Sequence, residues 1–357
     1  MSHPFETLTP DVVMDALDAT GLRLDGRLMA LSSYENRVYM AHLEQDRADG
    51  TPGAYGEAVV VKFYRPQRWT DAQILEEHSF AQELQAFEVP LAAPMVLNGQ
   101  TLHHHAGFSY SVSPRMGGRR PELDDFDTLE WIGRFLARIH TVGAAKPFAT
   151  RPALNVDTFA TEPHDWLLAH HMIPLDVQSE WEKVYTDAMQ LIAACAHSTL
   201  ASGIKATQKA GEVKPIAVLR LHGDCHPGNI LWTPSDLPAS NTSAGPHFVD
   251  LDDARTGPAV QDFWMLLDGD RRQRTQQLSA LLDGYEQFRP FDRRELALIE
   301  PLRTLRLIHY SAWLARRWDD PAFPIAFPDF GTRDYWQGQV ALLREQVEQM
   351  QEVPLSV

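Results

Sequence analysis

The sequence predicts an α+β chain in two lobes: a small β-rich N-lobe over 1–115 and a larger, mainly helical C-lobe over 116–357. Three observations carry this. A chain of 357 residues exceeds what one ordinary compact core absorbs. Strand-like runs, alternating or β-branched, crowd into the first 115 residues. From about Gly117 the apolar residues recur at helical spacing instead.

Taken in order, Thr9–Leu17 reads as a short helix with Val12, Val13 and Leu17 on its apolar side. Leu31–Leu43 alternates like a strand around SYENRVYMAHL, and the polar stretch Glu44–Glu57 reads as a hairpin loop. AVVVKFY, Ala58–Tyr64, is a β-branched strand holding one lysine. After the turn at Pro66, Thr70 and Gln73 have capping-box spacing. Ile74, Leu75, His78, Ala81 and Leu84 then keep a helical period that stops before Pro90. A second strand pair, MVLNGQTL and GFSYSV, is expected to turn at Asn98-Gly99.

Phe126, Leu129, Ile132, Leu136 and Ile139 mark a helix ending at His140. Further helices are expected over Trp181–His197, Asp262–Phe288 and Arg294–Trp318. HFVDLDDA reads as a strand-like piece, whereas Ser198–Pro215 and Thr233–Pro246 read as surface loops. No internal repeat interrupts this order.

Composition narrows the function classes. With 44% hydrophobic and 22% charged residues the chain has ample material for a core. The net charge of −16, from 48 acidic against 32 basic side chains, argues against sequence-independent nucleic-acid binding, which needs Lys and Arg on phosphates. Cys195 and Cys225 are the only cysteines, which is no disulfide framework and fits a reducing compartment. There is no apolar signal core and no run of about 18 apolar residues, so a cytosolic protein without membrane partners is expected.

LHGDCHPGNILW, Leu221–Trp232, is the densest cluster of reactive residue types. As a metal site it would offer His222, Cys225 and His226, yet zinc needs further ligands and no CxxC or HExxH partner exists. The other cluster, His103–His105, alternates faces on a strand and cannot present three rings together. As a nucleophile, Cys225 would use His222 or His226 as its base, yet no cysteine-protease signature and no Asn or Asp orienter accompanies them, and a small packed residue is the plainer reading. Phosphoryl transfer fits better. It asks for an aspartate to accept a hydroxyl proton and an asparagine shortly after to hold Mg²⁺; Asp224 and Asn229 have that spacing. VDLDD then offers a metal aspartate 21 residues on, at Asp250, after strand-like Phe248-Val249. Lys62 lies inside a strand, and Glu76 and Glu77 follow on the next helix as partners.

HGDCHPGNILW and FVDLDDARTGPAVQDFW resemble the aminoglycoside phosphotransferase/choline kinase-like branch of the protein-kinase fold, with HGD where eukaryotic protein kinases have HRD. SYENRVY, VVVKFYRPQRW, ILEEHSFAQEL and WLARRWDDPAFP are similar to a bacterial group within that branch. Those are cytosolic Ser/Thr protein kinases that use ATP and Mg²⁺, autophosphorylate and serve stress survival. The likeness runs from about Thr9 to Pro328. It implies a bilobal protein-kinase-like fold, ATP and a protein acceptor as partners, and a monomer.

By matching motif, the resemblance implies Asp224 as catalytic base, with Asn229 and Asp250 as Mg²⁺ ligands. Lys62 would hold ATP phosphates, paired with Glu77 in preference to Glu76, and Asp252 would support the metal loop. One departure stands out: where protein kinases have a Gly-rich loop over the phosphates, LSSYENRV has no glycine. Ser33 and Asn36 either supply donors to the phosphates or simply stabilise a turn. The matching serine in the bacterial group favours Ser33. VSPRMGGRR, Val112–Arg120, is expected to form a hinge, with Arg115, Arg119 and Arg120 as a solvated basic edge. His140 is expected as a helix cap or a core histidine, Trp264, Trp313 and Trp318 in the core, and His222 as a brace for the catalytic loop. Two alternatives keep the fold and change the function: a small-molecule kinase, and a nucleotide-binding scaffold without turnover.

Overall fold

A computed structural model describes residues 3–44, 57–195, 215–234 and 244–357. The expected loops at Glu44–Glu57 and Ser198–Pro215 lie almost wholly outside the described residues; of that at Thr233–Pro246, residues 235–243 do, while Thr233 ends one strand and Gly245 and Pro246 open the next. In chain order come α1 (Pro10–Asp18), β1 (Leu24–Ala30), β2 (Arg37–Leu43), β3 (Ala58–Phe63), α2 (Asp71–Ala86), β4 (His103–His105), β5 (Phe108–Pro114) and α3 (Phe126–Gly143). Then follow α4 (Glu162–Ala169), α5 (Leu175–Cys195), β6 (Leu219–Leu221), β7 (Ile230–Thr233), β8 (Gly245–Phe248) and β9 (Arg255–Gly257). The last helices are α6 (Gln261–Trp264), α7 (Arg271–Tyr285), α8 (Ile299–Ala315), α9 (Ala322–Ala326) and α10 (Arg333–Gln349).

The chain divides into two compact units. The first comprises Met1–Glu122, Phe148–Arg151 and His226–Ala254. Its sheet has five antiparallel strands in the order β1-β2-β3-β5-β4. In β3, Val59, Val61 and Phe63 enter a core shared with Val13 and Leu17 of α1, Ala41, Tyr110 and Val112. Strand alternation therefore sends Lys62 to the opposite face. Helix α2 starts as expected, with a reciprocal Thr70/Gln73 capping box.

Three expectations for this unit need correction. Strand β2 begins at Arg37, not Leu31, because the preceding turn is held by side-chain bonds that replace ladder pairing: Ser33 donates to Asn36 O (3.1 Å), and Asn36 Oδ1 accepts from Arg65 N (3.0 Å). Strand β1 went unread because its period is broken by a register shift between Leu24 and Leu28, with Gly26 at φ +89°. The hairpin turns at Ala106-Gly107 (φ +47° and +86°), not at Asn98-Gly99. Asn98-Gly99 closes only one Leu97–Gln100 pair, since Met95 N is drawn to Val112 O (2.7 Å).

The second unit comprises Leu123–Pro147, Pro152–Cys225 and Arg255–Val357. Helices α3 and α7 touch backbone to backbone. A Cβ at Gly133 would lie 2.0 Å from Leu281 O, and one at Gly284 1.9 Å from Glu130 O. Helices α5 and α10 meet through Trp181 and Trp336, edge to face at 6.1 Å. Strands β6 and β9 form a two-stranded ladder.

The helix expected over Asp262–Phe288 is two helices, α6 and α7. Gly269 at φ +80° ends one course, and Asp270 opens the next with a capping box. The helix expected from Arg294 starts as a 3-10 turn, Arg293–Leu298, before α8. Helix α5 starts at Leu175, earlier than the expected Trp181. His140 and Trp264 are buried, whereas Trp313 and Trp318 are half-buried, stacked near Tyr310 and Phe330. Among the described residues no helix is long and apolar enough to cross a membrane.

Candidate functional site

In the first unit, one lysine gathers three carboxylates. Lys62 Nζ lies 3.3 Å from Glu77 Oε1, 3.4 Å from Asp250 Oδ1 and 3.7 Å from Asp252 Oδ1. Burial alone would lower the lysine's pKa, but Glu77, Tyr64, Asp252 and Asp250 raise it well above the ordinary value. The ammonium therefore stays charged. Burial pushes the Glu77 carboxyl up, against the pull of Lys62 and of Arg151, whose Nη1 is 3.6 Å away.

The adjacent Glu76 does something else. It accepts from the backbone amides of Ala149, Thr150 and Arg151, the last two at 2.9 Å, and so anchors the 148–151 segment onto α2. Of the two glutamates, Glu77 is the lysine's partner.

The antiparallel β7–β8 pair delivers the next two residues. Its register matches Ile230 with Phe248, and Val249 N donates to Asn229 O (3.0 Å). Asn229 is thereby held opposite the residue that precedes Asp250. A 3-10 turn at Pro227–Asn229 shapes the approach, with His226 Nδ1 accepting from Gly228 N (2.9 Å). Asp250 sits in the left-handed region (φ +61°, ψ +70°) with its side chain 49% exposed. That conformation costs an L-residue roughly 1–2 kcal/mol, least for Asp and Asn. Asp252 turns inward: Arg68 clamps it together with Asp253 (2.8 Å), and Arg151 Nη2 bonds its carbonyl. Burial would raise the Asp252 carboxyl, but Arg68 and Lys62 hold it below its usual range.

Ser33 and Asn36 share one turn. Asn36 is buried with its Oδ1 on Arg65 N, while Ser33 is half-buried and bonded to Asn36 O. Glu35 of the same turn pairs with Arg65 Nε at 2.9 Å and lies 3.6 Å from Arg68. The turn is thus tied to the segment that follows Lys62.

Asp224 belongs to the second unit, where two helices fix its surroundings. Buried Asp262 of α6 accepts from His222 N and Gly223 N, both at 2.8 Å, and from His140 Nε2 at 3.1 Å. Gln261 Nε2 donates to Gly223 O (3.0 Å), and Gly223 takes φ +86°. The Asp224 carboxylate meets Arg306 of α8, Oδ1 to Nη2 at 2.8 Å. Cys225 is fully buried, and burial, aided by Asp262 and Asp224, pushes its thiol well up. A protonated, enclosed thiol is no nucleophile. Among the described residues no group of three or more His, Cys, Asp or Glu is arranged to hold a metal.

The phosphotransferase enzyme family matches residues 28–299. The chain belongs to that family. The chain is similar to stress response kinase A of Escherichia coli (strain K12), 46% identical over 99% of this chain and 97% of that protein. The serine/threonine protein kinase RdoA of Salmonella typhimurium is 43% identical over the same shares. Among solved structures, amicoumacin kinase hAmiN in complex with AMP-PNP, Ca²⁺ and Ami superimposes with TM-score 0.66 at 17% identity, covering 97% of this chain and 95% of that one. The expected kinase-like fold, with an antiparallel sheet in one part and helices in the other, is thereby borne out.

For this phosphotransferase, sequence reasoning assigned no role to Arg68, Arg151, Arg306 or Asp262. Asp262 stood inside the quoted PAVQDFW stretch, and Arg68 inside YRPQRW, so only their partners were missing. Arg306 carried no signal, since the stretch from 303 to 317 holds four arginines, at 303, 306, 316 and 317.

Proposed function

We propose that this kinase transfers the γ-phosphate of ATP to Ser or Thr hydroxyls of proteins, itself included, in a bacterial stress response. The observation that carries the reading is Lys62, a permanently charged ammonium held between Glu77 and Asp250. A fixed cation of this kind aligns a triphosphate, whereas a basic lysine could not serve as a proton acceptor. The acceptor class rests on the relative named as a serine/threonine protein kinase.

In this reading Asp224 orients the acceptor hydroxyl and takes its proton. Asn229 and Asp250 would hold Mg²⁺. They offer two hard oxygen donors, which suits an ion that keeps waters and phosphate oxygens as its remaining ligands. When bound, the ion would neutralise phosphate charge. Ser33 contributes a hydroxyl to the turn facing the phosphates, and Asn36, engaged with Arg65, contributes through its backbone and amide nitrogen. Residues 1–115 would form the nucleotide-binding lobe of a cytosolic monomer, and 116–357 the lobe carrying the catalytic and metal loops. A polycationic small-molecule acceptor is disfavoured, because its ammonium groups would approach Asp224 beside the Arg306 guanidinium.

The test is to incubate the purified protein with ATP, Mg²⁺ and a bacterial protein extract, and to compare it with Asp224→Ala by phosphosite mass spectrometry. Phosphoserine and phosphothreonine sites that need Asp224 are expected. ADP release driven only by the metabolite fraction would move the acceptor to a small molecule. Nucleotide binding without turnover on either fraction would leave a scaffold.

A further inference from the structure

The Asp224 loop is fixed from two directions. Its backbone hangs on α6, through Asp262 to His222 N and Gly223 N and through Gln261 to Gly223 O. Those bonds set the chain path. The Asp224 carboxylate itself lies against α8 as an ion pair, Arg306 Nη2 at 2.8 Å from Oδ1. The Arg306 side chain is 33% exposed and that of Asp224 17%. An ion pair so near solvent contributes little to stability, since screening and side-chain entropy offset the attraction. Its geometry is a better reason for its presence than its energy.

We propose that Arg306 is a positioning residue, which holds the Asp224 carboxylate in the orientation from which it receives the acceptor's proton. The proposal rests on the assignment of Asp224 as the base. A guanidinium suits the task because its planar fork keeps a fixed direction, where an ammonium on a flexible stem does not. The device reaches the loop from a helix 82 residues further along the chain. LHGDCHPGNILW itself carries no Lys or Arg.

The experiment measures steady-state transfer from [γ-³²P]ATP with Mg²⁺, using heat-treated bacterial extract as the mixed Ser/Thr acceptor. The proteins compared are wild type, Asp224→Asn, Arg306→Ala and Arg306→Lys, each with its melting temperature recorded. Arg306→Ala is expected to lose about 10²-fold in kcat, the cost of a misplaced reacting group, with KM for ATP and melting temperature near wild type. Added guanidinium chloride at millimolar concentration should restore part of that loss in Arg306→Ala and nothing in Asp224→Asn. Arg306→Lys should fall between Arg306→Ala and wild type. If Asp224→Asn is inactive while Arg306→Ala keeps wild-type kcat, or loses it without guanidinium rescue while Arg306→Lys restores nothing, the proposal is overturned and the base assignment stands. If Asp224→Asn keeps full transfer, the base assignment itself falls.

Discussion

Two neighbouring glutamates on α2 do different jobs, and single substitutions can separate them. Glu77→Ala removes the nearest carboxylate from half-buried Lys62 and from buried Arg151. It should destabilise the protein by roughly 3 kcal/mol, as breaking a buried pair does, and raise KM for ATP. Glu76→Ala removes the acceptor for three backbone amides instead, and should cost on the order of 1–2 kcal/mol with KM for ATP unchanged. Equal effects on KM would contradict the division. Glu295 gives a test of pH. It is buried, accepts from Val260 N (2.8 Å), and burial first of all pushes it up to about 7. Its folded form thus binds a proton more tightly than the unfolded chain, so its contribution to stability is present at pH 4.5 and is lost as pH rises through about 7. Up to about 1.4 kcal/mol per pH unit is at stake in that window. Melting curves of Glu295→Gln should be flatter between pH 5 and pH 7.5 than those of wild type; parallel curves would show that the group does not titrate there.

At the level of elements, the α3–α7 contact is set by glycines in reciprocal places. Alanine at Gly133 or Gly284 would bring a methyl into a carbonyl oxygen of the facing helix, where backbone cannot yield as a side chain can. Each substitution should cost roughly 1–3 kcal/mol or more by overpacking, read as a fall in melting temperature. Gly338 of α10, with nothing near its Cβ position, is the control, and its alanine variant should be neutral to stabilising. Neither glycine announced itself in the sequence, because a close helix approach depends on the partner's backbone. The same limit explains most of what was misread. Lys62 was legible since a lysine inside VVVKFY breaks an otherwise apolar run, and the α2 start since its capping box is local. The β1 bulge and the α6–α7 break were not, because one positive-φ glycine resets the period that pattern reading relies on. Glu77 was preferred to Glu76 on its distance to the Val-Pro turn, and the contact with the lysine bears that preference out.

For the whole molecule, ligand linkage is the broadest check. At a hundred times its Kd, a nucleotide that binds only the folded state adds about 2.7 kcal/mol to stability. ATP with Mg²⁺ should therefore raise the melting temperature of wild type, and Lys62→Met should lose most of that rise. Asp250→Ala and Asn229→Ala should keep a response to ATP but lose its enhancement by Mg²⁺, as wild type does in EDTA. A response in Lys62→Met equal to wild type would remove Lys62 from the nucleotide site. Site pairs that span long sequence intervals were the ones the sequence could not disclose: Arg68 reaches Asp252 over 184 positions, and His222 reaches Asp262 over 40.

The last of these has a consequence for how the protein matures. The amide hydrogens of His222 and Gly223 are locked by a carboxylate on α6. Their exchange with deuterium should follow the opening that releases Asp262, with His140 as the third tenant of the same carboxylate. The segment bearing Asp224 thus takes this shape with α6 docked, so a nascent chain completes it after residue 262 has left the ribosome and packed.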